Sequence, residues 1–181
     1  MNTIDRAIDI DLPLQAVYNQ WTRFEDFPLF MEGVTNVRQD DFQHVHWEAQ
    51  IAGRKKTWEA EILEQEPDHL ITWRTTGGVK MAGRVEFDAV GGCCTRLSLH
   101  LDYEPEGVLE KTVSAIGLVK ARVGSDLLRF KEFVENAIVL PDGWRGEIHQ
   151  EERPSASFNS SEMGASRMPP SGFWELQRSQ G

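Results

Sequence analysis

The sequence predicts an α+β domain: an antiparallel sheet of about seven strands lies against one long C-terminal helix, with two short helices after the first strand. Three observations predict it. From Val34 to Tyr103 apolar and polar residues alternate with a period of two between turn residues. From Val108 to Val139 apolar residues recur at helical spacing instead, and between Leu14 and Met31 they recur at three and four in shorter runs.

The first strand is Ile4 to Leu12, with Ile8, Ile10 and Leu12 on one face and Asp9 and Asp11 on the other. Pro13 then opens a short amphipathic helix carrying Leu14, Val17, Tyr18, Trp21 and Phe24. A second helical turn, Phe27 to Met31, ends at Gly33. The meander starts with Val34 to Gln39. His44 to Ala52 follows, placing Val45, Trp47, Ala49 and Ile51 on one face, and Gly53 makes the turn into Lys56 to Glu64, where Trp58, Ala60 and Ile62 point inward. Pro67 and Asp68 turn the chain into Leu70 to Thr75, with Ile71 and Trp73 inward, and Gly77 and Gly78 turn it again. Met81, Gly83, Val85 and Phe87 form the next inner face. After Gly91 and Gly92 come Leu97, Leu99, Leu101 and Tyr103. Each strand is polar on one side only, so the sheet needs a cover, and the helix from Val108 supplies it.

On that helix Leu109, Val113, Ile116, Val123, Leu127, Val134 and Ile138 share a narrow stripe. Gly117 and Gly124 interrupt it at about 1 kcal/mol each relative to Ala, and Lys120 stands in the middle of the stripe. A helix built for stability alone avoids all three. Residues 113–124 are therefore expected to roof a cavity; the alternative is tight packing, with the Lys120 ammonium snorkelling to water.

The formal charge of −10 disfavours nucleic acid and anionic bilayers as partners. No apolar run approaches a membrane span and no signal-peptide pattern opens the chain, so a cytoplasmic protein is expected. Cys93 and Cys94 are adjacent beside a turn and read as reduced thiols. After Leu140 the composition shifts to proline and serine. The division expected is a domain over residues 1–146 and a tail over 147–181, with Phe173, Trp174 and Leu176 as a small apolar cluster in the tail.

Several stretches resemble the START-like (SRPBCC) superfamily, in its polyketide cyclase/dehydrase-like and coenzyme-Q-binding-protein-like branch. They are VYNQWTRFEDFPLFMEGV at Val17 to Val34, Trp47 with Glu48, EQEPDHLITW at Glu64 to Trp73, Gly83 with Val85 and Phe87, DLLRFKEFVE at Asp126 to Glu135, and WRGE at Trp144 to Glu147. The resemblance implies the helix-grip fold, a strongly curved sheet wrapped around the C-terminal helix. Its relatives range from lipid carriers to aromatase/cyclases, so it implies a ligand cavity more firmly than a reaction.

On that layout the cavity wall is Trp47, Trp58, Trp73, Met81, Phe87, Leu99 and Tyr103, with Ile116, Gly117 and Lys120 above. The expected partner is a hydrophobic small molecule or lipid, with Tyr103 and Lys120 as polar handles for a carbonyl or carboxylate. No cofactor, metal or catalytic residue is expected. His44 and His46 share the outer face with Glu48 and lack a third ligand. Two other readings stand beside this one: a cyclase or dehydratase using Tyr103 and Lys120, and a protein-interaction module with a closed cavity. The sequence leaves homodimerisation open.

Overall fold

The computed structural model describes residues 2–51, 53–104, 113–137 and 142–149, and of residues 113–116 the backbone alone. The chain divides into two compact units, Met1–Gln150 and Glu151–Gly181, and every strand and helix described belongs to the first.

Seven strands, β1 (Asn2–Ile10), β2 (Val34–Gln39), β3 (His44–Ile51), β4 (Arg54–Glu66), β5 (Leu70–Gly77), β6 (Met81–Val90) and β7 (Cys94–Tyr103), form one antiparallel sheet in the order β1-β7-β6-β5-β4-β3-β2. The sheet curls as a half-barrel about helix α2 (Val113–Glu135), which is the helix-grip arrangement. Between β1 and β2 lie helix α1 (Leu14–Trp21) and a 3-10 helix, Phe24–Leu29. The 3-10 turn begins three residues before the predicted Phe27. Asp26 already donates its N–H to the Arg23 carbonyl, and Pro28, which has no N–H to give, fits the end of so short a turn.

The strands form where strict alternation gives each residue a face. Register confirms the faces: Ile4 pairs with Leu101, Leu101 with Gly83, Gly83 with Trp73 and Trp73 with Ile62, a row of inner-face residues across five strands. β4 departs from simple alternation. A bulge between Ile62 and Glu64 shifts its phase, so that Gln65 rather than Glu64 pairs with inward Ile71 and is buried.

Gly83 is one of the positions where contact requires a glycine. A Cβ there would stand 2.2 Å from the Trp73 ring and 2.8 Å from Leu101, so the indole lies across the bare backbone of its β6 partner.

The core is dense around α1. Trp21 meets Phe130 of α2 edge-on at 5.0 Å between centroids, Phe30 meets Phe130 at 5.1 Å, and Tyr18 meets Phe87 at 5.4 Å. α2 is tied to both flanks over its C-terminal half. Buried Asp126 accepts the Glu32 N–H at 3.0 Å and Arg129 donates to the Phe30 carbonyl at 2.8 Å. On the other flank Lys131 donates to the Asp9 carbonyl, and Glu135 accepts the Asp11 N–H, both at 2.7 Å. Leu127 and Val134 of the predicted stripe are buried, as is Phe130 between them; Leu109 and Ile138 lie outside the described residues. No helix among the described residues is long and apolar enough to cross a membrane.

The segment after α2 returns to the sheet further than the sequence suggests. Ile148, 8% exposed, forms a two-bond antiparallel bridge with Gln65, at 2.9 and 2.8 Å. Arg145 reaches Asn19 and Asp68 and lies over the Tyr18 ring. These contacts belong to the compact unit Met1–Gln150.

Two stability measurements check this packing. Gly83→Ala should lower stability by about 1–3 kcal/mol, because the Trp73 indole must leave its rotamer to admit a methyl, and the loss is read from denaturant unfolding with a change in tryptophan emission. A chain ended at Gly146 should be less stable than one ended at Gln150 by about 2–4 kcal/mol, the cost of a buried Ile and its bridge.

Candidate ligand-binding site

The concave face of the sheet falls into two regions. In one, the side chains beneath α1 and the C-terminal half of α2 are sealed. Phe87 belongs here: it is 2% exposed, with its ring against Tyr18 and Trp21. In the other, Trp47, Trp58, Trp73, Met81 and Tyr103 are all only half-buried, and Leu99 and Leu101 retain a little exposure.

Each of these is placed by strand register. Trp47 and Trp58 face one another across β3 and β4, and their indoles stack at 5.9 Å with planes 9° apart. Phe27 packs edge-on to Trp47 at 5.4 Å. The Trp47 Nε1 is buried and has no hydrogen-bond acceptor among the described residues, an unusual state for an indole N–H. Trp73 rests on Gly83. Met81 opens β6 with its backbone held on both sides by Thr75, whose hydroxyl accepts the Met81 N–H at 2.9 Å and donates to its carbonyl at 3.1 Å. Tyr103 pairs with Met81 in the next ladder.

From α2, Lys120 is half-buried and makes no ion pair among the described residues, while Val119 and Val123 pack against the core. Gly117 is exposed, and a Cβ there would meet nothing within 4 Å; Gly124, two turns on along the same side, has only Arg6 near it, at 3.5 Å. Neither glycine is therefore required by a close approach. The side chain of Ile116 lies outside the described ones. Leu118, 72% exposed, faces away from the sheet.

Arg6 joins this region without having been expected there. It occupies an inner-face position of β1, opposite Leu99, and its guanidinium donates to the Lys120 carbonyl at 3.3 Å. The alternation Ile4, Arg6, Ile8 carries that signal in the sequence.

Two grooves stand out among the described residues. One of about 370 Å3 runs between β1 and α2 beside Arg6, Ile8, Gly124 and Leu128; the other, about 520 Å3, lies mainly on the convex face beside Asp5, Arg84, Glu86 and His100. Of the predicted wall, Leu99 alone touches either.

Titratable chemistry is concentrated elsewhere. On the convex face Asp5 bonds His100 at 2.6 Å and raises its pKa, and Arg96 holds the Asp9 carboxyl below its usual value. Burial pushes the Tyr18 hydroxyl up despite its bond from Gln65 at 2.9 Å. His46 sits between Glu59 and Glu48, and no described group of three or more ligand-type residues is arranged for a metal.

The family model described as polyketide cyclase / dehydrase and lipid transport matches residues 10–132. The chain belongs to that family. A fellow sequence is the uncharacterised 17.2 kDa protein of the melC2-rnhH intergenic region of Streptomyces lincolnensis, 38% identical over 149 residues, which cover 82% of this chain and 99% of that one. Among solved structures, the Zhui aromatase/cyclase of Streptomyces sp. R1128 superimposes with a TM-score of 0.63 at 15% identity, over 79% of this chain and 99% of that one. A START superfamily protein of Mycobacterium smegmatis does so with a TM-score of 0.56 at 16% identity, over 74% and 94%. At these identities the two structures establish the fold.

Because nothing stands within 4 Å of the position a Gly117 side chain would take, Gly117→Ala should raise stability by up to about 1 kcal/mol. A thermal melt that shows destabilisation instead would mean that a group does occupy that space.

Proposed function

We propose that the domain binds a hydrophobic small molecule or lipid between the open half of the sheet and the N-terminal half of α2, acting as a carrier or sensor in the cytoplasm. The observation that carries this reading is the contrast along the concave face. Tyr18, Phe87, Phe130 and Val134 are fully sealed at one end, whereas three tryptophans and a methionine on the same face remain half-exposed at the other. Leaving indoles partly wet forfeits stabilisation that a smaller domain surface would recover, and a ligand that covers them restores it. Burying about 300 Å2 of ligand is worth some 7 kcal/mol at ~25 cal/mol per Å2 before the entropy of association is charged. The unpaired Trp47 Nε1 adds a donor suited to a ligand carbonyl or hydroxyl.

A cyclase or dehydratase reading draws on the family description and on the name of the Streptomyces structure. Proton transfer in such a reaction needs an acid and a base at the reacting carbons. Tyr103 and Lys120 are the acid–base candidates the sequence offers for this reading, and we favour binding without turnover.

Native mass spectrometry of the purified chain, followed by denaturation, should release a stoichiometric hydrophobic mass. A ligand-free sample should take up the neutral probe N-phenyl-1-naphthylamine with quenching of tryptophan emission. Absence of both a bound mass and probe uptake overturns the proposal.

A further inference from the structure

The concave face differs from the rest of this acidic chain in the sign of its charge. Acids outnumber bases by 29 to 19. Yet among the described strand residues every carboxylate falls on the convex face, and the charged residues at concave positions are all cations: Arg6 on β1, and Arg54 and Lys56 on β4. The convex arginines are each neutralised. Arg74 pairs with Glu61, Arg84 with Glu86 and Arg96 with Asp9. Arg6 is treated differently. Its guanidinium donates to two backbone carbonyls, Asp5 at 3.0 Å and Lys120 at 3.3 Å, and has no carboxylate partner among the described residues. The side chain of Asp5 points to the other face, where it holds His100. The first of these bonds is local, but the second brings the guanidinium against the helix segment that carries Lys120, which makes no ion pair among the described residues. The buried carboxylate of α2, Asp126, lies on the helix's other flank and is already used by the Glu32 N–H and Arg129.

A guanidinium held against the Lys120 backbone without a carboxylate partner among the described residues stands out in a chain with an excess of ten acids. We infer that the ligand is an amphipathic anion, a carboxylate or phosphate on an apolar body, with its charged end held by Arg6 and Lys120 at the β1 side of α2 and its apolar body over the half-exposed tryptophans. The inference rests on the proposed cavity and adds the sign of the ligand's charge. The reach is suitable. From Arg6 on β1 to Trp73 on β5 there are three strand spacings, roughly 14 Å at about 4.8 Å each, within the span of a medium-chain acyl group.

The test compares dodecanoate, dodecanol and dodecylammonium, three ligands of matched apolar length, by tryptophan quenching on the full chain. Dodecanoate should bind at least about tenfold more tightly than dodecanol, with dodecylammonium weakest. Arg6→Gln combined with Lys120→Gln should bring the carboxylate-to-alcohol ratio to about one, Lys120→Gln alone should lower it part of the way, and Arg84→Gln on the convex face should leave it as it was. Equal binding of dodecanoate and dodecanol by the unmodified chain overturns the inference while leaving the cavity intact. A preference that survives in the double variant overturns the assignment to these two residues. Failure of all three amphiphiles and of the neutral naphthylamine probe removes the cavity itself, and the inference with it.

Discussion

The domain depends on how α2 is fastened. A curled antiparallel sheet with one apolar face is unstable until something covers it, and here the cover is fixed by polar bonds made at its sides as well as by the apolar stripe beneath it. Asp126 and Arg129 bind the backbone just before β2, while Lys131 and Glu135 bind the backbone at the end of β1. These are the two edge strands of the sheet. The C-terminal half of α2 thus bridges the opening of the half-barrel and sets its width, and the aromatic packing of Trp21, Phe30 and Phe130 lies beneath that bridge.

Past Asp126 toward its N-terminus, α2 has fewer such ties among the described residues. Arg122 donates to the Glu32 carbonyl at 2.5 Å and Arg6 to that of Lys120. This division gives the domain a firmly tied end and an end whose apolar side chains stay half-buried. The short helices decide where the division falls. α1 lies over β6 and β7, so that it covers Phe87 and Leu97 and stops short of Met81 and Tyr103.

Most of this fold was legible because its strands alternate strictly. The inner faces of β3, β6 and β7 follow from period two alone, and the long helix from its stripe. What could not be read locally was set by partners distant in sequence. The phase reversal in β4 comes from a bulge that only pairing with β5 reveals. Ile148 sits between Glu147 and His149 with no periodic neighbours, and its place in the core comes from two backbone bonds to Gln65. The candidate site shows the same limit. Alternation puts Phe87 and Trp73 on one face, but it contains no information on the groups that cover each, so it joins a sealed residue with a half-exposed one. Arg6 illustrates the converse, since a lone cation between two isoleucines reads as an interruption of a strand until its ladder partner and the α2 carbonyl it meets are known.

The contact between Gly83 and Trp73 couples two positions ten residues apart in the chain. An indole that lies flat on a bare backbone takes its shape partly from the missing side chain beneath it. A methyl group at position 83 would turn the indole at 73 out of its place or demand a shorter side chain there, and the floor of the concavity would change its contour rather than merely its composition. The breadth of that floor is therefore set by the two residues together.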